Sequence, residues 1–260
     1  MNNILLHGIL YDDKSSFLKG VSFAPPIIRE KFWSASSNTF SENHIDIKNY
    51  IDDAGDKKIS DYFEIEKIAR LHLEKNNKIL TLGGDHSITY PIVRAYSKFY
   101  NSFDVLHIDA HPDLYDELNG DKYSHACPFA RIMEEKLIDQ LIQIGIRTWT
   151  AHQIEQAHKY KIAISEMKNF NIKDIPELKN DVYISLDMDV FDPAFAPGVS
   201  HHEPGGLTSR QVISIIQNIK TRIIGADIVE YNPKRDVQGI TATLAAKIMK
   251  EILSQMIVKE

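Results

Sequence analysis

The stretch Val105-Leu106-His107-Ile108-Asp109-Ala110-His111-Pro112-Asp113 runs a buried-strand pattern straight into three side chains, Asp109, His111 and Asp113, of the types found as metal ligands. Working outward, the arrangement recurs. Ile79 to Leu82 leads through Gly83-Gly84 to Asp85-His86, Val182 to Leu186 leads to Asp187 and Asp189, and Ile223 to Ile228 leads to Glu230. In an open parallel sheet the carboxyl ends of the strands share one edge, and ligands bind in the crevice outside it. Segments far apart in the chain are therefore expected to meet there.

Carboxylates packed a few ångströms apart cannot all stay ionised unless a cation relieves their repulsion. Asp109, Asp113, Asp187 and Asp189 with His86 and His111 form an oxygen-rich donor set without a thiolate, which suits manganese better than structural zinc. Six side chains exceed the needs of one tetrahedral ion with an open position. Two ions about 3.5 to 4 Å apart, bridged by carboxylates, are the natural arrangement. A single aspartate in a loop reads more simply as a surface acid, but three clusters at three strand ends do not.

At 260 residues and 43% hydrophobic, the chain can bury one sizeable core, and a single domain spanning 1–260 is expected. Six strand-like runs, the three central ones above with Ile4 to Leu6, Leu141 to Ile144 and Ile223 to Ile228, alternate with helical patterns, which signals βαβ units and a parallel sheet. The clearest helix follows Thr208. There Thr208 and Gln211 can form a capping box, and Val212, Ile215, Ile216 and Ile219 share a face. Further amphipathic patterns run through Ile65, Ile68, Ala69 and His72, and through Leu244, Ala245, Ile248 and Ile252. The polar stretch Asp52 to Ser60 reads as a solvated loop. The segment from Asp189 to Leu207, with Pro193, Pro197 and Pro204, reads as a functional loop.

A net charge of -6 without a basic block excludes an electrostatic footprint for nucleic acid and leaves a small molecule as the expected partner. The lone Cys127 allows no internal disulfide and reads as small buried filler. Met1 to Leu10 lacks a charged and then apolar leader pattern, and no stretch approaches the roughly 18 apolar residues of a membrane span. A soluble cytoplasmic protein is the expectation.

Three motifs resemble the ureohydrolases, the family of arginase, agmatinase and related guanidino-group hydrolases. They are Gly83-Gly84-Asp85-His86-Ser87, Asp109-Ala110-His111-Pro112-Asp113, and Ser185-Leu186-Asp187-Met188-Asp189 followed by Phe191 to Gly198. Tyr123-Ser124-His125-Ala126, Val199-Ser200-His201 with Glu203 to Gly206, and Gly225 to Pro233 are similar to the plant-type arginase branch in particular. The resemblance runs from Ser16 to the last helix. It implies a three-layer α/β/α fold around a mainly parallel sheet, as in arginases and deacetylases, and two Mn2+ per subunit. By motif position His86, Asp109, Asp113 and Asp187 would hold one ion and His111, Asp109, Asp187 and Asp189 the other. Oligomerisation as trimers or hexamers is a family habit and gives a homo-oligomer as the expectation.

The implied reaction is hydrolysis of a guanidino compound by hydroxide bridging the metals, with release of urea. Glu230 is expected to orient the guanidinium, because a carboxylate accepts two parallel N–H bonds. His125 falls at the family's proton-shuttle position, and histidine suits general acid work near neutral pH. His201 and His202 lie where the substrate pocket should be and could shape specificity. His72, His107 and His158 read as structural, and Asp85 as a partner of the ligand shell or a turn former. Animal-type arginases place an acid after the Gly-x-Arg that Gly145-Ile146-Arg147 resembles; here Thr148, Trp149 and Thr150 follow, and the loop Leu114 to Tyr123 looks closer to the agmatinase type. The branch resemblance favours L-arginine, with agmatine or another guanidino compound as alternatives. From other classes, a deacylase would need one zinc ion and no His86, and a noncatalytic metabolite sensor would keep the pocket without the chemistry.

Overall fold

The computed structural model describes residues 4–75 and 78–258, so the first three residues of the Met1 to Leu10 stretch lie outside the described residues. Eight strands are present among them: β1 (Ile4–Leu10), β2 (Ile51–Lys58), β3 (Lys78–Leu82), β4 (Asp104–Ile108), β5 (Gln140–Ile146), β6 (Ala163–Glu166), β7 (Val182–Asp187) and β8 (Ile223–Val229). They form one sheet in the order β2-β1-β3-β8-β7-β4-β5-β6, and every pairing is parallel. The four strands that carry the acid and histidine clusters are therefore neighbours at its centre. They are mostly apolar because both faces are covered, as parallel sheets require.

Among the described residues seven α-helices supply that cover: α1 (Ala24–Phe32), α2 (Glu64–Leu73), α3 (Thr89–Tyr96), α4 (Pro128–Glu134), α5 (Ala151–Tyr160), α6 (Ser209–Gln217) and α7 (Ile240–Val258). Alternate strand residues face opposite ways. Leu80, Leu106, Ile184 and Ala226 share one core with Ile28 of α1, Val212 of α6 and Ile252 of α7. Ile79, Val105, Tyr183 and Ile224 share the other with Ala69 of α2, Val93 of α3, Ile132 of α4 and Ala157 of α5. The result is the three-layer α/β/α arrangement. At α6 the capping box forms as expected, with Gln211 N donating to Thr208 Oγ1 at 3.2 Å and Thr208 N donating to Gln211 Oε1 at 2.8 Å.

One expectation is overturned. Asp52 to Ser60 is not a loop, since most of it is β2, paired in parallel with β1. As an edge strand it leaves most of its side chains in water, so it needs no apolar alternation. Its place is held instead by Arg29 of α1, whose Nε and Nη1 lie 2.8 Å from Asp53 and 2.6 Å from Asp56.

The second core carries a polar seam. His7, Thr81, Asp227, Ser185, His107 and Gln143 are paired neighbour to neighbour across β1, β3, β8, β7, β4 and β5, and all are buried. Just beyond it, the β3 strand end is wedged between neighbours. A Cβ on Gly84 would sit 1.6 Å from the Tyr11 carbonyl oxygen, while Gly84 O accepts from Glu230 N at 2.9 Å. Backbone fills that space, so Gly84→Ala is expected to cost about 1–3 kcal/mol or more and to lower the urea midpoint. A wild-type midpoint would show that the strand end has room to give.

Candidate metal centre

The strand ends deliver the donors to one place. His86 opens a short 3-10 turn, His86–Ile88, after β3, and its Nδ1 lies 3.1 Å from Asp109 Oδ2, 3.1 Å from Asp113 Oδ2 and 3.2 Å from Asp187 Oδ2. That nitrogen is fully buried and makes no hydrogen bond. A nitrogen ringed by three carboxylate oxygens without bonding any of them has the form of a coordination shell. On the other side, His111 Nδ1 lies 3.0 Å from Asp189 Oδ2 and 3.5 Å from Asp109 Oδ1. All six candidate ligands therefore converge, and Asp109 faces both imidazoles. Among the described residues, His86, His107 and Asp109, and likewise Asp109, His111 and Asp189, stand close enough together to hold a metal ion.

Partners below aim these groups. Ser185 Oγ donates to Asp227 Oδ1 at 2.7 Å, so its lone pair accepts the Nε2–H of His86 at 2.9 Å and leaves His86 Nδ1 facing the carboxylates. Thr89 and Tyr183 hydroxyls donate to the other Asp227 oxygen, at 2.9 and 2.8 Å. Gln143 Nε2 must donate to the Pro112 carbonyl at 2.7 Å, so His107 Nδ1, 2.9 Å away, accepts from the same amide. The other nitrogen, His107 Nε2, then donates to Asp109 Oδ2 at 2.7 Å. His107, read from sequence as structural, thus fixes an oxygen of a candidate ligand. Asp85 caps the turn at His86 by accepting Ser87 N at 3.1 Å, and it also accepts Lys14 N at 3.0 Å.

Above the donors opens a cleft of about 280 Å³. Glu230, with φ at 62°, and Asp113, with φ at 49°, both have left-handed backbones, a conformation that costs free energy and is retained where side-chain aim matters. Glu230 Oε1 accepts His86 N at 3.0 Å and His125 Nδ1 at 3.1 Å, and its Oε2 takes no hydrogen bond from the described residues. The ring of His201 stacks on that of His125 at 5.4 Å and meets Phe17 at 5.6 Å. His202 instead bonds the Pro197 carbonyl at 2.7 Å, and is not part of the cleft wall. Tyr115, Leu118, Thr148, Trp149, Thr150 and Gln153 form an uncharged mouth. Sequence reading pointed to Thr148, Trp149 and Thr150 and to the Leu114 to Tyr123 loop that carries Tyr115 and Leu118, and it missed Gln153 and Ser16. Arg147 is turned away, with its guanidinium donating to carbonyls of Asp189 at 2.7 Å and Glu203 at 2.6 Å, which ties the Asp189 to Leu207 loop to the sheet. A larger cleft of about 470 Å³, lined by residues such as Ile172, Leu178 and Ile219, gathers no comparable cluster.

Charge at the centre is unbalanced without a cation. Burial pulls the His86 and His111 imidazoles down, but the surrounding aspartates outweigh it and hold both well above 6.5. Burial, then Asp189 and Asp109, push the Asp187 carboxyl well above 3.8. Burial also works against Asp109, yet its three histidine neighbours hold it well below the usual carboxylate range. A raised imidazole pKa stabilises the fold fully below the unfolded value, about 6.5, and that contribution is lost as pH rises through the folded value. The raised Asp187 carboxyl has the same sign, because its ionisation in the fold becomes costly as pH rises. Asp109 contributes oppositely, but only in acid, where its stabilisation is lost as pH falls. The metal-free protein should therefore lose thermal stability between pH 6.5 and 9, and manganese should remove most of that loss by replacing protons as counter-charge. Melting curves with chelator and with manganese at both ends of the range provide the check, and parallel pH profiles would contradict it.

The arginase family's sequence profile matches residues 2–254. The chain is 43% identical to a protein named arginase 1, mitochondrial, of Arabidopsis thaliana, over 96% of this chain and 80% of that one. It is 35% identical to an agmatinase of Blochmanniella floridana, over 97% of this chain and 88% of that one. Among solved structures, an arginase from Medicago truncatula superposes with a TM-score of 0.94 at 40% identity, covering 98% of this chain and 87% of that one. Fold, motifs and relatives agree, and the chain belongs to the arginase family of ureohydrolases.

Proposed function

We propose that this ureohydrolase converts L-arginine to L-ornithine and urea with two manganese ions. The observation that carries the reading is the buried His86 Nδ1, unbonded among three carboxylate oxygens, beneath a second carboxylate and histidine pair, Glu230 and His125. His86, Asp109, Asp113 and Asp187 would hold one ion, and His111, Asp109, Asp187 and Asp189 the other. When bound, such a pair supplies a water acidified toward neutrality as the nucleophile for the guanidinium carbon.

The chain's own groups do the rest. Glu230 Oε2 is free to accept guanidinium N–H bonds, which holds the planar group over the centre. Burial lowers the His125 imidazole, but Glu230, Asp113 and Asp85 outweigh it and raise it to about 9. At neutral pH it therefore carries the proton that a departing amine needs, and it gives that proton up as the C–N bond breaks. His201 closes the wall beside it and would touch the methylene chain of the substrate.

Likeness to the plant arginases supports arginine. Agmatine is the second reading, favoured by a cleft that, among the described residues, has no lysine or arginine in its lining to select an α-carboxylate, and by the agmatinase relative. Urea release by manganese-loaded protein, with arginine and agmatine in parallel and ornithine or putrescine identified, separates them. A faster reaction with agmatine would replace the substrate assignment, and arginine binding without urea would favour a sensor. Two ions per subunit are expected by elemental analysis, against one for a deacylase. Glu230→Gln should lower kcat/KM on the order of 100-fold, the loss of charged hydrogen bonds, with metal content unchanged. Full activity in that variant would remove Glu230 from the reaction.

A further inference from the structure

His125 is held at both ends of its ring. Nδ1 faces Glu230 Oε1 at 3.1 Å in the interior, and Nε2 lies 2.7 Å from the hydroxyl of Ser16 at the cleft surface. A carboxylate only accepts, so Nδ1 carries hydrogen. In the charged ring Nε2 carries one too, and Ser16 Oγ is its acceptor. We propose that Ser16 is a positioning residue for His125, and that Asp85 anchors the segment that presents it. The inference rests on the reading of His125 as the proton donor.

Ser16 is exposed, but its place is not that of a free loop. Lys14 N donates to the buried Asp85 at 3.0 Å, and Lys14 Nζ pairs with Asp121 at 2.7 Å. The Lys14 carbonyl accepts His125 N at 3.3 Å. Further along, Asp12 Oδ2 accepts Gly20 N at 2.8 Å and Ser22 Oγ at 3.0 Å, which closes the turn from the other side. The segment after β1 and the His125 loop are therefore tied by backbone as well as by the ring. Asp85, one residue before a candidate ligand, links this tie to the β3 strand end.

A histidine bonded only to Glu230 can still swing its outer edge by rotation about Cα–Cβ, because the stacked His201 ring opposes tilting about Cβ–Cγ. The Ser16 bond removes that freedom. With Nε2–H held by Ser16, the proton given to the departing amine is the one on Nδ1, at the Glu230 edge where a guanidinium would lie, and the ring is left as the neutral Nε2–H tautomer; Ser16 acts on that delivery and not on guanidinium capture, which belongs to Glu230.

The test compares Ser16→Ala and Ser16→Thr, each also in a His125→Asn background, in manganese-loaded protein. Ser16→Ala should lower kcat about ten-fold, the scale of a lost hydrogen bond to a charged group, with KM and metal content unchanged and with Thr restoring the rate. Added to His125→Asn it should cost nothing further, since both act through one ring. In histidine-selective nitrogen NMR of protein loaded with diamagnetic zinc in place of paramagnetic manganese, the His125 Nε2 resonance should move in Ser16→Ala while those of His86 and His111 stay. A raised KM at constant kcat would show that Ser16 touches substrate instead, and a multiplicative loss in the double variant would place its effect elsewhere; either overturns the proposal. If the unaltered protein releases no urea from any guanidino compound, the functional reading fails, and the NMR shift still decides whether the contact to Ser16 exists.

Discussion

Four carboxylates and two imidazoles drawn into one buried space are the constraint on which the rest depends. Like charges at that density raise each other's cost of ionisation, and the centre answers in two ways. It alternates histidine with aspartate, so that each acid faces an imidazole, and it sets the whole group where a divalent cation can replace the protons. The parallel sheet makes the concentration possible. Only there do β3, β8, β7 and β4, distant in sequence, end side by side.

Support runs in two directions from this point. Downward, hydroxyl and amide side chains of the seam fix which nitrogen of His86 and which oxygen of Asp109 face the centre. Upward, Glu230 and His125 form the wall where a guanidinium would lie. The cleft mouth is lined by uncharged side chains such as Trp149 and Gln153, which stand apart from the charged centre and its wall.

The central strands were legible in the sequence because burial on both faces leaves an apolar run, and each run ended in its ligands. β2 was not legible, since an edge strand with Asp52, Asp53, Lys57 and Lys58 has the composition of a loop, and only its pairing with β1 reveals it. The six candidate ligands and Glu230 could be read because chemistry concentrates at strand ends. Ser16, Gln143 and Asp227 could not. Their meaning lies in contacts with segments far away along the chain, Ser16 with His125 across 109 residues, and an isolated serine or glutamine carries no pattern. Motif resemblance named His125 as functional, but the partner that holds its outer edge appears only once the chain is folded.

The buried seam from His7 to Gln143 has a further effect on how the chain finds its arrangement. Strand side chains alternate between faces, so a slip by one residue would turn a polar member of the row into the aliphatic core on the opposite face and lift an aliphatic one into its place. Six adjacent strands share one such marker. Misaligned sheets would thus be penalised by stranded polar groups before any ion is present. The row works as a registration key, and a sheet that satisfies it has already brought the carboxylates and imidazoles level with one another.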